Sequence, residues 1–316
     1  MLQHGRRDAG AGLTLALLSA LAFGTSGAFA RGLLDAGWSP AAAVTWRASV
    51  AVLLLAVPAL LALRGRWHLL LAGWRTVLLF GVVAVAATQL AYFQAVQHVS
   101  VGVALLLEYL GVFLVVGWLW LRRGQRPRRL SIAGGALALV GLVGVLDVVS
   151  GAQIAPIGLM WGLVAAVGLA TYFVVSADDR SGIPPVALAA AGMLTGAVAL
   201  AIVGALGIVE MRMTTADVVL AGIGVPWWAP VVGLGLVSTA LAYSTGIGAA
   251  RALGSKVASF VGLTEVLFAV LIAWLLLGQL PTVVQLIGGV LVLAGVVAVK
   301  LDERAGAPET VVEPAA

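Results

Sequence analysis

Ten apolar stretches, each about 20 residues long, fill this chain and fall into two similar sets of five. A hydrocarbon core about 30 Å thick is crossed by roughly 20 helical residues. In lipid, only helices or closed barrels satisfy every backbone polar group. The sequence therefore predicts an all-α polytopic membrane protein of ten transmembrane helices. The expected spans are 12–31, 41–63, 76–97, 99–121, 130–149, 156–176, 185–208, 229–250, 255–277 and 281–300. An odd number of spans per set forces the two sets to insert upside down to one another. The expected units are two inverted five-helix repeats, 12–149 and 156–300, followed by a polar, disordered cytoplasmic tail, 302–316.

Composition agrees. Of the 316 residues, 62% are hydrophobic and 10% charged, against about 45–50% and about 25% in a soluble domain. The net charge of +5 does not point to nucleic acid, because the basic residues sit in short loops between spans. Cysteine is absent, which excludes disulfides and thiolate chemistry. The three histidines, His4, His68 and His98, are scattered, so neither a metal cluster nor a cofactor is expected. Arg6 and Arg7 before an apolar run, with Ala28-Phe29-Ala30 after it, imitate a signal peptide. The run is longer than a signal core and nine spans follow, so it reads as an uncleaved first helix.

Charge also orients the chain. With the N-terminus inside, 15 of the 18 basic residues fall in inner segments; Arg31 and Arg212 fall outside and Arg47 within span two. Positive charge favours the cytoplasm, so both termini are expected there. One long outer loop, 209–228, ends on Trp227 and Trp228, at an interfacial aromatic belt.

The repeat is legible directly. Residues 124–141 (GQRPRRLSIAGGALALVG) and 278–295 (GQLPTVVQLIGGVLVLAG) align at an offset of 154 residues. Upstream, Leu90-Ala91-Tyr92 parallels Leu241-Ala242-Tyr243 with three residues of slip, and Gly24-Thr25-Ser26 weakly parallels 169–172. The first Gly-Gln-x-Pro loop has five nearby arginines and the second none. Inverted repeats of this kind are a signature of secondary transporters, with the substrate site near the midplane.

These two late-half motifs, together with the segment from Tyr92 to Ala104 and Val261-Gly-Leu-Thr-Glu-Val-Leu-Phe-Ala-Val, resemble the EamA-type members of the drug/metabolite transporter superfamily. The resemblance covers nearly all of 12–300. It implies a ten-helix carrier with a central cavity that exports amino acids, other metabolites or drugs. The chain departs from that pattern in having Glu265-Val266 where Glu-Pro is common, and Gly124-Gln125 and Gly278-Gln279 where Gly-Glu is common.

Candidate site residues follow from polarity within spans. Glu108 in span four and Glu265 in span nine each lie about 13–15 Å from a span end. A carboxylate at that depth costs on the order of 3 kcal/mol and faces a cavity or a partner. Ala258, Gly262, Glu265 and Ala269 share one helical face, as do Ala104, Glu108, Gly111 and Val115. Glutamate and glycine have traded places one turn apart. Against a functional role stands a purely packing role for both acids. Gln89 and Tyr92 share a face of span three, and Tyr243 is the repeat mate of Tyr92. Thr25, Ser26, Thr171 and Tyr172 sit where spans one and six meet the cavity. Arg47 either snorkels outward or pairs with a glutamate or a substrate carboxylate.

The function that follows is export of a small organic solute, amino acid-like or drug, by alternating access. Nothing in the chain binds ATP, so coupling falls to a gradient, with protonation of Glu108 or Glu265 as the natural device. The alternatives are a membrane-embedded enzyme, which lacks a reactive cluster, and a non-transporting sensor or scaffold, which lacks a soluble domain. Expected partners are a small-molecule substrate and the lipid bilayer of the inner (plasma) membrane, with no nucleic acid; a homodimer stays open.

Overall fold

The computed structural model describes residues 2–96, 98–99, 101–146, 155–277 and 280–306. Nearly all of this is helix. Eight helices are long and apolar enough to cross a membrane: Gly10–Asp35, Pro40–Leu63, Trp74–Ala95, Gly102–Arg123, Pro156–Ser176, Pro185–Ala205, Trp228–Gly262 and Val283–Glu303. Two shorter apolar helices, Arg129–Val145 and Thr264–Leu275, accompany them. Local chemistry sets several starts. Pro40, Pro156 and Pro185 open their helices, where the missing N–H costs nothing and φ is already helical. Ser39 caps the first of these, its Oγ accepting from the Ala42 N–H at 3.4 Å.

Several expected spans are interrupted. The first divides into α1 (Leu2–Gly24) and α2 (Ser26–Asp35), around Thr25. The second is α3 (Pro40–Leu63). After the short α4 (His68–Ala72), the third comprises α5 (Trp74–Leu78), a π-helical stretch at Leu79–Ala87, and α6 (Thr88–Val96). The fourth breaks at Leu110 into α7 (Val101–Tyr109) and α8 (Gly111–Arg123). α9 (Arg129–Val145), α10 (Pro156–Ser176) and α11 (Pro185–Ala205) are unbroken. Then come α12 (Trp228–Gly235), a second π-helical stretch at Leu236–Leu241, α13 (Ala242–Gly262), α14 (Thr264–Leu277) after a break at Leu263, and α15 (Val283–Gly306). Within α13, Gly254 has φ 78° and ψ 160°. That region is open only to glycine, and it separates the eighth expected span from the ninth.

The π-helical stretches are repeat-related. Thr88 Oγ1 donates to the Val83 carbonyl at 2.7 Å and Thr239 Oγ1 to the Leu234 carbonyl at 2.8 Å. Each side-chain bond reaches five residues back, the same span as the backbone bond of a π turn. Both threonines head the same five residues, Thr-x-Leu-Ala-Tyr.

Two expectations are corrected. The 209–228 loop is not all irregular: β1 (Val218–Leu220) pairs antiparallel with β2 (Ile223–Val225). β-branched residues flank a two-residue turn in which Ala221 (φ 50°) and Gly222 (φ 79°) both take positive φ, the geometry that closes a tight hairpin. The all-α expectation therefore has this one exception among the described residues. The tail does not begin at Asp302, because α15 runs to Gly306. Asp302 is buried, accepting from Ser131 and lying 3.6 Å from Lys256 Nζ. Residues 307–316 and 147–149, and the Gly278-Gln279 pair, lie outside the described residues.

Packing repeats the internal similarity. α1 runs along α13 as α6 runs along α10; α3 pairs with α11, and α9 with α15. The last pair is antiparallel. A Cβ added at Gly141 would lie 2.6 Å from the Gly288 carbonyl oxygen, and one at Gly288 would lie 2.6 Å from the Gly141 carbonyl oxygen. Gly134 and Gly295 meet reciprocally further along. Gly134 and Gly288 are repeat mates, as are Gly141 and Gly295, so exchanging the halves maps this contact onto itself. Gly81 and Gly235 are likewise 154 residues apart. Gly81 abuts the Gly192 carbonyl and Thr195 on α11; Gly235 abuts the Arg47 carbonyl and Val50 on α3. Arg47 and Gly192 thus hold equivalent places.

Large apolar side chains face outward around the bundle, Leu121 at 83% and Leu53 at 75% exposure among them. A water-soluble monomer does not tolerate apolar surface on that scale; a bilayer does.

Candidate functional site

A cavity of about 90 Å³ lies inside the bundle, several times what one water needs. Its lining comes from the first, third and fourth expected spans and from their counterparts, the sixth, eighth and ninth. Glu108, Glu265, Gln89, Tyr172 and Tyr243 all line it. Glu108 is the penultimate residue of α7 and Glu265 the second residue of α14, so each acid stands beside a mid-span helix break. Those breaks carry local bonds in place of the regular ladder: Phe113 N–H donates to the Leu110 carbonyl at 2.9 Å and Leu263 N–H to the Phe260 carbonyl at 3.1 Å. Thr264 Oγ1 returns to the Val261 carbonyl at 2.7 Å.

The polar lining is partly organised. The Tyr109 hydroxyl is within hydrogen-bonding reach of the Glu265 carboxylate, and Gln89 within reach of Tyr243. Ser19 Oγ donates to the Ala242 carbonyl at 2.8 Å. The buried Tyr172 hydroxyl approaches Ser19 but makes no hydrogen bond of good geometry. It reaches this position over Gly246, where any Cβ would collide with it. One wall is aromatic. Tyr172 and Tyr243 pack edge to face at 5.4 Å, Phe23 on Tyr243 at 5.0 Å, and Phe80 on Tyr172 at 5.8 Å.

Arg47 is buried at 7% exposure, so it does not snorkel outward. Its Nη1 donates to Ser26 Oγ at 3.3 Å, and its charge is felt by Tyr243, Glu265 and Glu108. None of the ion pairs among the described residues includes Arg47 or either glutamate. The two acids thus line the cavity, whereas Arg47 is not part of its lining and acts on them only through its charge.

Other sequence candidates fall elsewhere. Tyr92 packs against the cluster of Ala95, Val99, Val103 and Ala104 and against Phe93 at 5.5 Å, and is not among the cavity-lining residues. Ser26 reaches the site only through Arg47. Thr171 bonds back to the Val167 carbonyl at 2.8 Å, and Thr25 meets Ser238 Oγ at 2.8 Å. The expected equivalence of the two glutamate faces fails. Gly262 lines the cavity, but Gly111 is pressed onto α10, where a Cβ would lie 2.5 Å from the Ala166 carbonyl oxygen. The breaks at Leu110 and Leu263 interrupt the helical register on which that equivalence rested. Tyr109, Phe23, Phe173 and Thr88 were missed. The repeated threonine of Thr-x-Leu-Ala-Tyr is a signal that could have found Thr88; the other three have none.

The model of the EamA-like transporter family matches residues 10–147 and, a second time, residues 156–301. The chain belongs to the EamA-like transporter family. A curated relative from Salmonella typhimurium, the uncharacterized inner membrane transporter YicL, is 24% identical over 245 residues, 72% of this chain and 74% of that protein. A solved structure titled only as the crystal structure of a protein superposes with a TM-score of 0.74 at 20% identity, covering 93% of this chain and 98% of its own. This likeness extends to the fold. The EamA-like chain is a membrane transporter.

Proposed function

We propose that this protein is a secondary carrier exporting a small, amino acid-like metabolite by alternating access, with proton exchange at Glu108 and Glu265. The observation that carries this reading is the pair of carboxylates at two helix breaks, facing one cavity lined by matching elements of both halves. Broken helices around a midplane site are a recurrent device of secondary transporters. Carboxylates in the cavity, with the charge of buried Arg47 acting on them, offer complementary partners to an ammonium and a carboxylate on one solute. The modest cavity favours a metabolite over a bulky drug.

The reading includes ten spans in two inverted repeats with both termini cytoplasmic. Support comes from the glycine-only break at Gly254 and from the antiparallel, self-mapping contact of α9 with α15. The 15-to-2 division of loop charge supports the orientation. A homodimer has no comparable support.

The test is an untargeted comparison of solutes inside and outside cells carrying the protein or its Glu108→Gln and Glu265→Gln variants. A solute that leaves faster with the protein, and at the basal rate with either variant at equal membrane abundance, supports the reading. Unchanged rate and unchanged pH dependence in both variants refutes the coupling role.

A further inference from the structure

The first expected span leaves the cavity at Phe23 and continues as α2. Close contacts at three glycines wedge α2 among elements of the second half. A Cβ added at Gly24 would lie 3.0 Å from the Ala269 nitrogen and 3.1 Å from the Glu265 carbonyl oxygen. The junction of α1 and α2 is therefore pressed onto α14 beside one of the two cavity acids. Further along α2, Phe29 lies across Gly233 of α12, where a Cβ would meet its ring at 2.8 Å. Near the end of α2, a Cβ at Gly32 would lie 2.7 Å from side-chain carbons of both Val218 and Leu220 in the hairpin. α2 thus stands between the cavity and the hairpin.

The hairpin loop is tied down in its turn. Trp38 Nε1 donates to the Thr214 carbonyl at 3.0 Å, Thr214 Oγ1 to the Ala36 carbonyl at 2.9 Å, and Arg212 N–H to Ser39 Oγ at 2.9 Å. These bonds fasten the segment leading into the hairpin onto the turn between α2 and α3. Leu33, Trp38, Val218, Val231 and Leu234 bury together in a cluster of their own, distinct from the two large clusters of the bundle. At the other end, α2 parts from α1 at Thr25, whose Oγ1 lies 2.8 Å from Ser238 Oγ in the second π-helical stretch. A helix break and a π-helical stretch therefore meet at the base of α2, where the regular helical ladder is interrupted on both sides. The opposite face has no such arrangement. There the counterpart of α1 and α2 is α10, unbroken from Pro156 to Ser176, and the loop matching the hairpin loop, 64–73, holds only the short α4.

We propose that α2 is the outer gate of the cavity and that the hairpin loop is the strap that holds it shut. Outward opening swings α2 about Thr25, away from α14 and α12, and requires the strap to release Gly32. An element that ends on a helix break and carries few contacts besides its strap is a ready hinge, and closing elements of this kind govern access to enclosed sites. The inference rests on the reading of the protein as an alternating-access carrier.

The test places a single reporter cysteine at Ala20, in the cavity wall, in this chain that has no cysteine of its own. Its modification is timed with a membrane-impermeant methanethiosulfonate added to one face or the other of vesicles. Val218→Ala with Leu220→Ala removes the side chains over Gly32. It is expected to speed modification from the hairpin's face roughly tenfold, because apolar contact is lost from the closed state, and to slow it from the opposite face. Thr214→Val loses only the bond to Ala36 and is expected to act in the same direction by about fivefold; it decides the matter should the double variant fail to accumulate. Thr14→Val, whose hydroxyl returns to the Gly10 carbonyl of its own helix, is expected to change neither rate. Rates indifferent to both strap variants, or raised equally from both faces, overturn the gate while leaving alternating access intact. A reporter unreachable from either face in every variant overturns the gate together with the alternating access on which it rests.

Discussion

The contact between α9 and α15 makes a quantitative prediction. Replacing Gly141 by alanine puts a Cβ 2.6 Å from the Gly288 oxygen and 2.6 Å from Val292 N; replacing Gly288 puts one 2.6 Å from the Gly141 oxygen and 2.7 Å from Val145 N. Ordinary contact begins near 3.4 Å, so the helices must part by about 0.8 Å. A radial gap of that size forfeits roughly a quarter to a half of each contact along the face. Overpacking of this kind costs about 1–3 kcal/mol, a factor of about 5–150 in the folded population. Alanine also brings a helix-propensity gain of up to about 1 kcal/mol. Gly117, in α8, has nothing within 4 Å of an added Cβ, so Gly117→Ala is the control that removes the gain from the comparison. The assay is the temperature at which each variant loses its monodisperse peak in detergent. Gly141→Ala and Gly288→Ala should fall below the control by equal amounts. Their combination should fall less than the sum, because one separation of the helices relieves both clashes. A Gly141 variant as stable as the control, or a large difference between the two, refutes the reciprocal packing.

The remaining expectations are briefer. Glu108→Gly with Gly111→Glu should fail to accumulate in the membrane while Glu108→Gln accumulates normally, because a side chain at position 111 meets the α10 backbone; immunoblots of membrane fractions decide it. Cysteines introduced at Thr214 and Thr282 should label with an impermeant maleimide from outside and those at Gln125 and Ser181 should not; outside labelling at Gln125 would sink the inverted arrangement. Ser39 is a poor reporter, being buried and bonded to the Glu210 carbonyl at 2.7 Å. Arg47→Lys should keep the charge but weaken solute binding more than it slows turnover, since lysine cannot reproduce the guanidinium fork; an unchanged apparent affinity would remove Arg47 from the site.

The long helices were legible because crossing a bilayer demands apolar length, and length is written in the sequence. Glu108 and Glu265 were legible because charge inside such a length is costly. The breaks at Leu110 and Leu263 were not. Neither leucine is a helix breaker; the residues beside them, Gly111 and Gly262, pack against α10 at Ala166 and Phe173, contacts with no local signature. For the same reason, the approach of Tyr109 to Glu265 had no local signature. Tyr92 misled because internal similarity matched it to Tyr243, while the two face different neighbours. The hairpin at 218–225 lies in a segment that reads from sequence only as a long loop, although its β-branched residues and Gly222 are there.

The equivalence of Arg47 and Gly192 has a consequence for energetics. In a carrier made of two identical halves related by a two-fold axis, the state open to one side is the mirror of the state open to the other, and the empty protein spends equal time in each. On the proposed two-fold arrangement, the guanidinium at 47 corresponds to a single hydrogen atom at Gly192, and Lys256 with its acids corresponds to Gly102; each difference would break the balance. Each 1.4 kcal/mol of difference tilts the resting populations tenfold. Arg47→Gly, which restores the local sameness of the two halves, should shift the empty carrier toward equal occupancy of its two faces, readable as a change in the side from which a cavity cysteine is alkylated.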